Sequence, residues 1–312
     1  MKTSLEEAWI HWKNCLSSFE DENSIFNQII TMVWDTAIYR VILRGRQARL
    51  LENPEKPQIN TAFHSLIDRN YIQAQCTTIR RLVDNSKYST MYGDRSVYSL
   101  GVLIGDIEKR KVELTRSLYL KLHKMPYDYS EIQKNEREFF FERRFNENLF
   151  TLPPELDWQE IMDAHQQFDR LSHVTPETRS PENQINKRVF VGLRAQLSKC
   201  EPIVKHVDKF IAHSSTPESR SIIQDPKITL EQIWGAQKIL YEVANFLGVS
   251  LFLVDTIPLP IESYAFYSHW DKSLFLEEEE RQIRDVYEEY QDETDDWRLN
   301  NVENIWKVIE EQ

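Results

Sequence analysis

Glycine is scarce: the 312 residues include only 7, alongside 12 prolines. Tight turns and strand corners draw on both residue types, so this scarcity argues against a many-stranded sheet and favours long helices joined by short polar links. Cysteine is rarer still. Cys15, Cys76 and Cys200 are odd in number and share no paired spacing, which excludes a disulfide framework and points to a reduced, cytoplasmic protein. The most apolar stretch, residues 249–261, is interrupted by Asp255, Pro258 and Pro260. It falls short of the roughly 20 apolar residues that a bilayer span needs, so no membrane contact is expected. The first twelve residues contain Glu6 and Glu7 but no apolar run, unlike a signal peptide. Also missing are a His-Glu-x-x-His pair, a Cys-x-x-Cys pair and a glycine-rich phosphate loop, so neither a metal nor a cofactor is expected. His11, His64, His123, His165, His173 and His269 stand apart from one another and read as surface or capping residues.

What the chain does have is charge, unevenly spread. Residues 277–312 hold fourteen acidic side chains against Arg281, Arg284, Arg298 and Lys307, a net of −10 out of a total of −12. The body of the chain is therefore nearly neutral and open to binding an anion. Apolar residues recur every three or four positions behind capping signals. Ser4 with Glu7 opens a first helix, Asn23 a second and Asn60 a third that ends in Arg80, Arg81, Leu82, Val83 and Asp84. Ser99 opens a long helix extending to about His123. Residues 125–181 carry more loop signals and read as an insertion, with helices over 130–148 and after an Asp157/Glu160 capping box. Thr229 with Gln232 starts a strong helix that stops near Gly248. Two acidic amphipathic helices, around Ile283 and Val302, complete the pattern and should dock on the body through their apolar faces. An all-α protein follows, with residues 1–255 as the main domain and 256–312 as a linker and acidic helices. An acidic helix near a basic face could also occlude it, or serve simply as a structural cap.

The most informative segment is 205–215, where Lys205, His206, Asp208, Lys209 and His213 close the longest regular apolar stripe. That stripe runs through Ile185, Val189, Leu193, Leu197, Cys200, Val204, Val207 and Ile211, and Ser180-Pro181 reads as its start. His206 and His213 are seven residues apart, two turns of a helix, and lie off the stripe. If the helix is unbroken, Arg188, Lys199 and Lys209 join them along one line. Pro202 either kinks that helix or begins a new one. Metal-free RNA cleavage needs a base for the 2′-hydroxyl, an acid for the leaving 5′-oxygen and a cation for the phosphate. His206, His213 and Lys209 have the chemistry to supply them. The competing reading is that the histidine pair lines a subunit or insertion contact.

Three blocks carry a resemblance. The helix end Ile79, Arg80, Arg81, Leu82, Val83, Asp84 with the helix start Tyr98, Ser99, Leu100, the Ile211, Ala212, His213, Ser214 run, and the Thr229 to Gly248 helix together resemble the HEPN superfamily of all-helical prokaryotic domains, most closely its abortive-infection branch. The resemblance implies an antiparallel helical bundle, usually a homodimer, with an RNA-directed role as a ribonuclease in toxin or phage-defence systems. The nuclease members carry an arginine separated from the histidine by four to six intervening residues. Here those positions hold Asp208, Val207 and His206. Either Arg80 or Arg81 from the neighbouring helix replaces the missing cation, within about 10 Å of the histidines, or catalysis is lost and a binding surface for RNA or a protein partner is kept. In the first case Arg80, Arg81, Arg188 and Lys199 are the candidate RNA-binding residues.

Overall fold

The computed structural model describes residues 4–18, 20–52, 61–85, 89–93, 96–145, 158–212, 227–259 and 280–311. His213, Asn60, Asp157 and residues 277–279 lie outside them, as do the side chains of Phe139, Phe140, Phe141, Phe145 and Ile283. The described residues form eleven α-helices and no strand: α1 (Leu5–Ser17), α2 (Ile25–Glu52), α3 (Thr61–Leu82), α4 (Leu100–Lys109), α5 (Arg116–Leu122), α6 (Ser130–Phe145), α7 (Trp158–Ser172), α8 (Lys187–Ser198), α9 (Glu201–His206), α10 (Leu230–Leu247) and α11 (Glu280–Glu310). Two five-residue π turns, Val207–Ile211 and Gly248–Phe252, extend α9 and α10. None of the described helices is long and apolar enough to cross a membrane.

The capping signals act as expected at several helix starts. Ser4 and Glu7 form a reciprocal capping box on α1, and Thr229 with Gln232 does the same on α10, satisfying amides that have no intrahelical partner. Three boundaries differ from the sequence reading. The helix from Ser99 stops at Lys109, and Thr115 caps a separate α5 by accepting from the Leu118 amide. Pro181 lies in a turn closed by Asn183 Oδ1 on the Ser180 amide, and α8 begins instead after Asn186, whose side chain accepts from the Arg188 amide. The acidic end is one 31-residue helix, α11, instead of two.

α10 is the central helix. It packs on α2, α3, α8 and α11, burying Ile233, Leu240, Tyr241, Val243, Phe246 and Leu247. A polar network crosses this packing: Gln237 Nε2 donates to Thr36 Oγ1 at 2.6 Å and Gln75 Oε1 at 2.7 Å, while Tyr290 Oη donates to Gln237 Oε1 at 3.2 Å. Four helices are thereby held in one register, since slippage would strand buried amides. The insertion and the acidic end both belong to this core. α7 contributes Ala164, Phe168 and Leu171, and α11 contributes Tyr287, Tyr290, Trp297, Ile305, Trp306 and Ile309. α8 meets α11 so closely that a Cβ on Gly192 would lie 2.5 Å from Ile309 Cγ1.

The scattered histidines are not uniformly superficial. His64 and His165 are buried. Arg46 Nε donates to His64 Nδ1 at 2.7 Å, and His165 Nε2 lies 3.0 Å from the Tyr127 carbonyl. Burial, seconded by neighbouring arginines, holds both below the usual histidine value. Cys15, Cys76 and Cys200 are all buried thiols, each pushed up to about 12 by burial, so none resembles an activated nucleophile.

Candidate functional site

The carboxyl end of α3 and the amino end of α4 are joined by one side chain. Ser99 caps α4 by accepting from the Val102 amide, and its hydroxyl faces the Leu82 carbonyl at 3.1 Å and the Asp84 carbonyl. A single residue thus serves the open ends of both helices. Gly101 makes the approach possible: a Cβ there would lie 2.5 Å from the Asp84 carbonyl oxygen and 2.8 Å from that of Val83. This junction fixes where Arg80 and Arg81, in the last turn of α3, point.

The histidine segment reaches the same place by another route. α8 ends at Ser198, two residues turn, and α9 restarts with Pro202 in its first turn, the new-helix alternative for this proline. The Val207–Ile211 π turn follows, closed by the Ala212 amide on the Val207 carbonyl at 2.8 Å. Each π turn takes in an extra residue, so positions seven apart no longer complete two turns. The single line through Arg188, Lys199, His206 and Lys209 is therefore interrupted twice, at residues 199–200 and at the π turn.

Of the seven candidate residues, three come together. Arg80 Nε donates to Asp208 Oδ1 at 3.0 Å, which brings α3 onto the π turn between His206 and Lys209. Arg80 also faces Asp84 Oδ1 at 3.7 Å. The His206 ring stacks on Phe210 with centroids 5.0 Å apart, and both His206 and Lys209 are partly exposed. Arg81 is directed elsewhere, to a cleft lined by Asp21, Asn23 and Tyr98. Arg188 stands in the first turn of α8, exposed, near His173, whose pKa is lowered by burial and then by Arg188. Lys199 lies at the opposite end of α8, about 16 Å along the axis at the usual helical rise. There it is exposed and acts on Glu242, which burial raises. Arg81 and Arg188 thus meet other neighbours than Arg80 does, while Lys199 directly follows Ser198 at the end of α8.

Beside the Arg80–Asp208 pair opens a cleft of about 310 Å³ lined by Arg80, Asp84, Asn85, Arg194, Ser198 and Glu201 over an apolar floor that includes Leu197 and Val204. Arg194 is held by Glu108 of α4, and Glu201 lies 3.7 Å from Lys205. The sequence reading did not single out Asp208, Asp84, Arg194 or Glu201. Asp84 was legible, since it lies one turn after Arg80, but Arg194 becomes visible only when α8 packs on α4. Among the described residues no group of three or more His, Cys, Asp or Glu side chains could hold a metal ion. No family model matches the chain, and no curated protein or solved structure matches it either.

Proposed function

We propose that the chain is a HEPN-like helical protein that contacts RNA through the face formed by the end of α3 and the α9 π turn, as a metal-independent endoribonuclease of a toxin or phage-defence system. The observation that carries this reading is the delivery of Arg80 to the segment of His206 and Lys209. A guanidinium from the neighbouring helix stands in for the arginine that the segment itself lacks. The Arg80–Asp208 pair is partly exposed on both sides, so it is worth only about 0–1 kcal/mol and exchanges readily for a phosphate. In the reaction, one histidine takes the 2′-hydroxyl proton and the 2′-oxygen attacks phosphorus. The other protonates the departing 5′-oxygen, leaving a 2′,3′-cyclic phosphate and a 5′-hydroxyl, while Arg80 and Lys209 balance the charge on the phosphoryl oxygens. His213 and His206 are assigned these proton roles.

A second reading, that of a non-catalytic helical protein docking a protein partner through the same face, is favoured by a specific feature: Arg80 already faces two carboxylates, Asp84 and Asp208. Incubating labelled single-stranded RNA without divalent metal with the parent protein, His213→Ala and Arg80→Ala separates the two. The nuclease reading expects cyclic-phosphate ends from the parent, cleavage reduced about 100-fold or more by loss of a proton-transfer group, and weaker RNA binding by Arg80→Ala. Intact, unbound RNA in every lane would establish the docking reading instead.

A further inference from the structure

We propose that the cleft between α3, α4, α8 and α9 is a binding pocket for one phosphate monoester of a nucleotide, held between Arg80 and Arg194. The proposal deepens the RNA reading by naming what the face takes in, and it rests on that reading for the class of ligand. Its volume of about 310 Å³ lies at the lower end of the range for small-molecule sites, which admits one nucleotide and excludes a stacked pair. The two guanidiniums enter from different helices, Arg80 from the last turn of α3 and Arg194 from α8. Each is braced by a carboxylate, Arg80 by Asp208 and Arg194 by Glu108. A braced guanidinium keeps further N–H donors on its fork, and these suit the oxygens of a phosphate. The Asn85 amide adds a neutral partner, and Val83, Leu197 and Val204 form an apolar surface against which a sugar or base can lie.

The lining also decides against a bare anion. Asp84 and Glu201 stand in the same cleft as the two arginines, and Asp208 and Glu108 already pair with these, so a bare anion such as inorganic phosphate gains little. A ligand that is anionic at one end and rich in N–H donors at the other uses both halves. Glu201, exposed at the start of α9, is the acceptor for an amino-bearing base edge, as carboxylates are for the cytosine amino group. Guanosine, cytidine and adenosine monophosphates should therefore bind better than uridine monophosphate, and all four better than phosphate ion.

The test is calorimetric titration of the full chain with the four nucleoside monophosphates and with inorganic phosphate, repeated on Arg194→Lys and Glu201→Gln. Arg194→Lys keeps the charge but loses the fork, and thermal unfolding checks that it stays folded. We expect Arg194→Lys to weaken nucleotide binding about tenfold or more, the effect of losing one charge-assisted pair. Glu201→Gln should flatten the preference for amino-bearing bases while leaving uridine monophosphate unchanged. Competition against 5′-phosphorylated and 5′-hydroxyl RNA identifies the source: displacement of the phosphorylated RNA alone assigns the pocket to an RNA end, and displacement of neither assigns it to a free nucleotide. Absence of binding by every monophosphate at millimolar concentration, or binding that Arg194→Lys leaves unaltered, would overturn the pocket. Retained RNA binding in that case would leave the broader reading standing, whereas its loss as well would remove both.

Discussion

Arg116 is the most constrained charge among the described residues. Its side chain is fully buried, donating through Nη2 to Asp169 Oδ1 at 2.7 Å, through Nη1 to the His165 carbonyl at 2.9 Å and through Nε to Asn183 Oδ1 at 3.3 Å. Arg179 grips the same Asp169 from the other side at 2.6–3.0 Å. Removing one member of a buried pair strands the other in a medium that cannot solvate it. Arg116→Ala should therefore cost about 3–5 kcal/mol, with Arg179 keeping the value near the lower limit. Urea unfolding would show this as a lower midpoint at an unchanged slope. At this scale the sequence was a poor guide. Nothing in the order of residues distinguishes Arg116, which is buried, from Arg188, which is exposed, because each sits one or two places after a helix cap. What separates them is the insertion helix α7, whose Asp169 side chain and His165 carbonyl enclose the first.

Elements were more legible, and where they failed the cause is physical. The apolar period continues through Leu114 although the chain there is not helical, because that residue is buried all the same; periodicity reports which face is covered, not whether hydrogen bonds are continuous. π turns are hidden for a related reason. Val207 and Ile211 keep a four-residue spacing whether the turn between them is α or π, so the stripe marks the core face and not the type of turn. The second π turn carries a prediction. It leaves the Ser250 and Leu251 carbonyls to outside donors, and Tyr119 Oη at 3.2 Å and His123 Nε2 at 2.8 Å supply them. Donation from Nε2 fits the neutral ring, and burial keeps the His123 pKa below its usual 6.5. The unfolded chain then takes up its proton first, so this stability is complete above about pH 6.5 and is lost as acid drives the pH through the lower folded value. His64, His165 and His173 act in the same direction. Glu242 acts in the opposite one, but only from near its ordinary value of 4.5 upward. Thermal midpoints should fall between pH 7 and pH 5, and His123→Gln, which keeps a donor for Leu251, should reduce that fall.

For the whole molecule, the decisive element is α11. The expectation that the acidic end docks as helix holds, and its manner of docking favours a cap over an occluding flap. Arg40 lies between the Trp234 and Tyr290 rings, 4.2 and 3.8 Å from their centroids, and pairs with Glu293 at 2.9 Å. Arg170 likewise covers Trp306 and pairs with Glu303. Arg80, by contrast, is paired by Asp84 and Asp208. Burying each large side chain contributes about 1.5–3 kcal/mol. Loss of Tyr287, Tyr290, Trp297, Ile305, Trp306 and Ile309 together therefore costs about 9–18 kcal/mol, as much as the roughly 5–15 kcal/mol by which a native domain is stable. Truncation after Pro260 should abolish the cooperative thermal transition; a shortened protein that melts sharply near the parental temperature would show α11 to be dispensable. The Arg40–Glu293 pair joins residues 253 positions apart. On the ribosome, where chains grow at about 5–20 residues per second, α2 must wait tens of seconds for the helix that covers it. Nascent chains of this protein are thus exposed to chaperones and proteases for nearly the whole of their synthesis, and a premature stop anywhere before α11 yields a substrate for degradation instead of a partly active fragment.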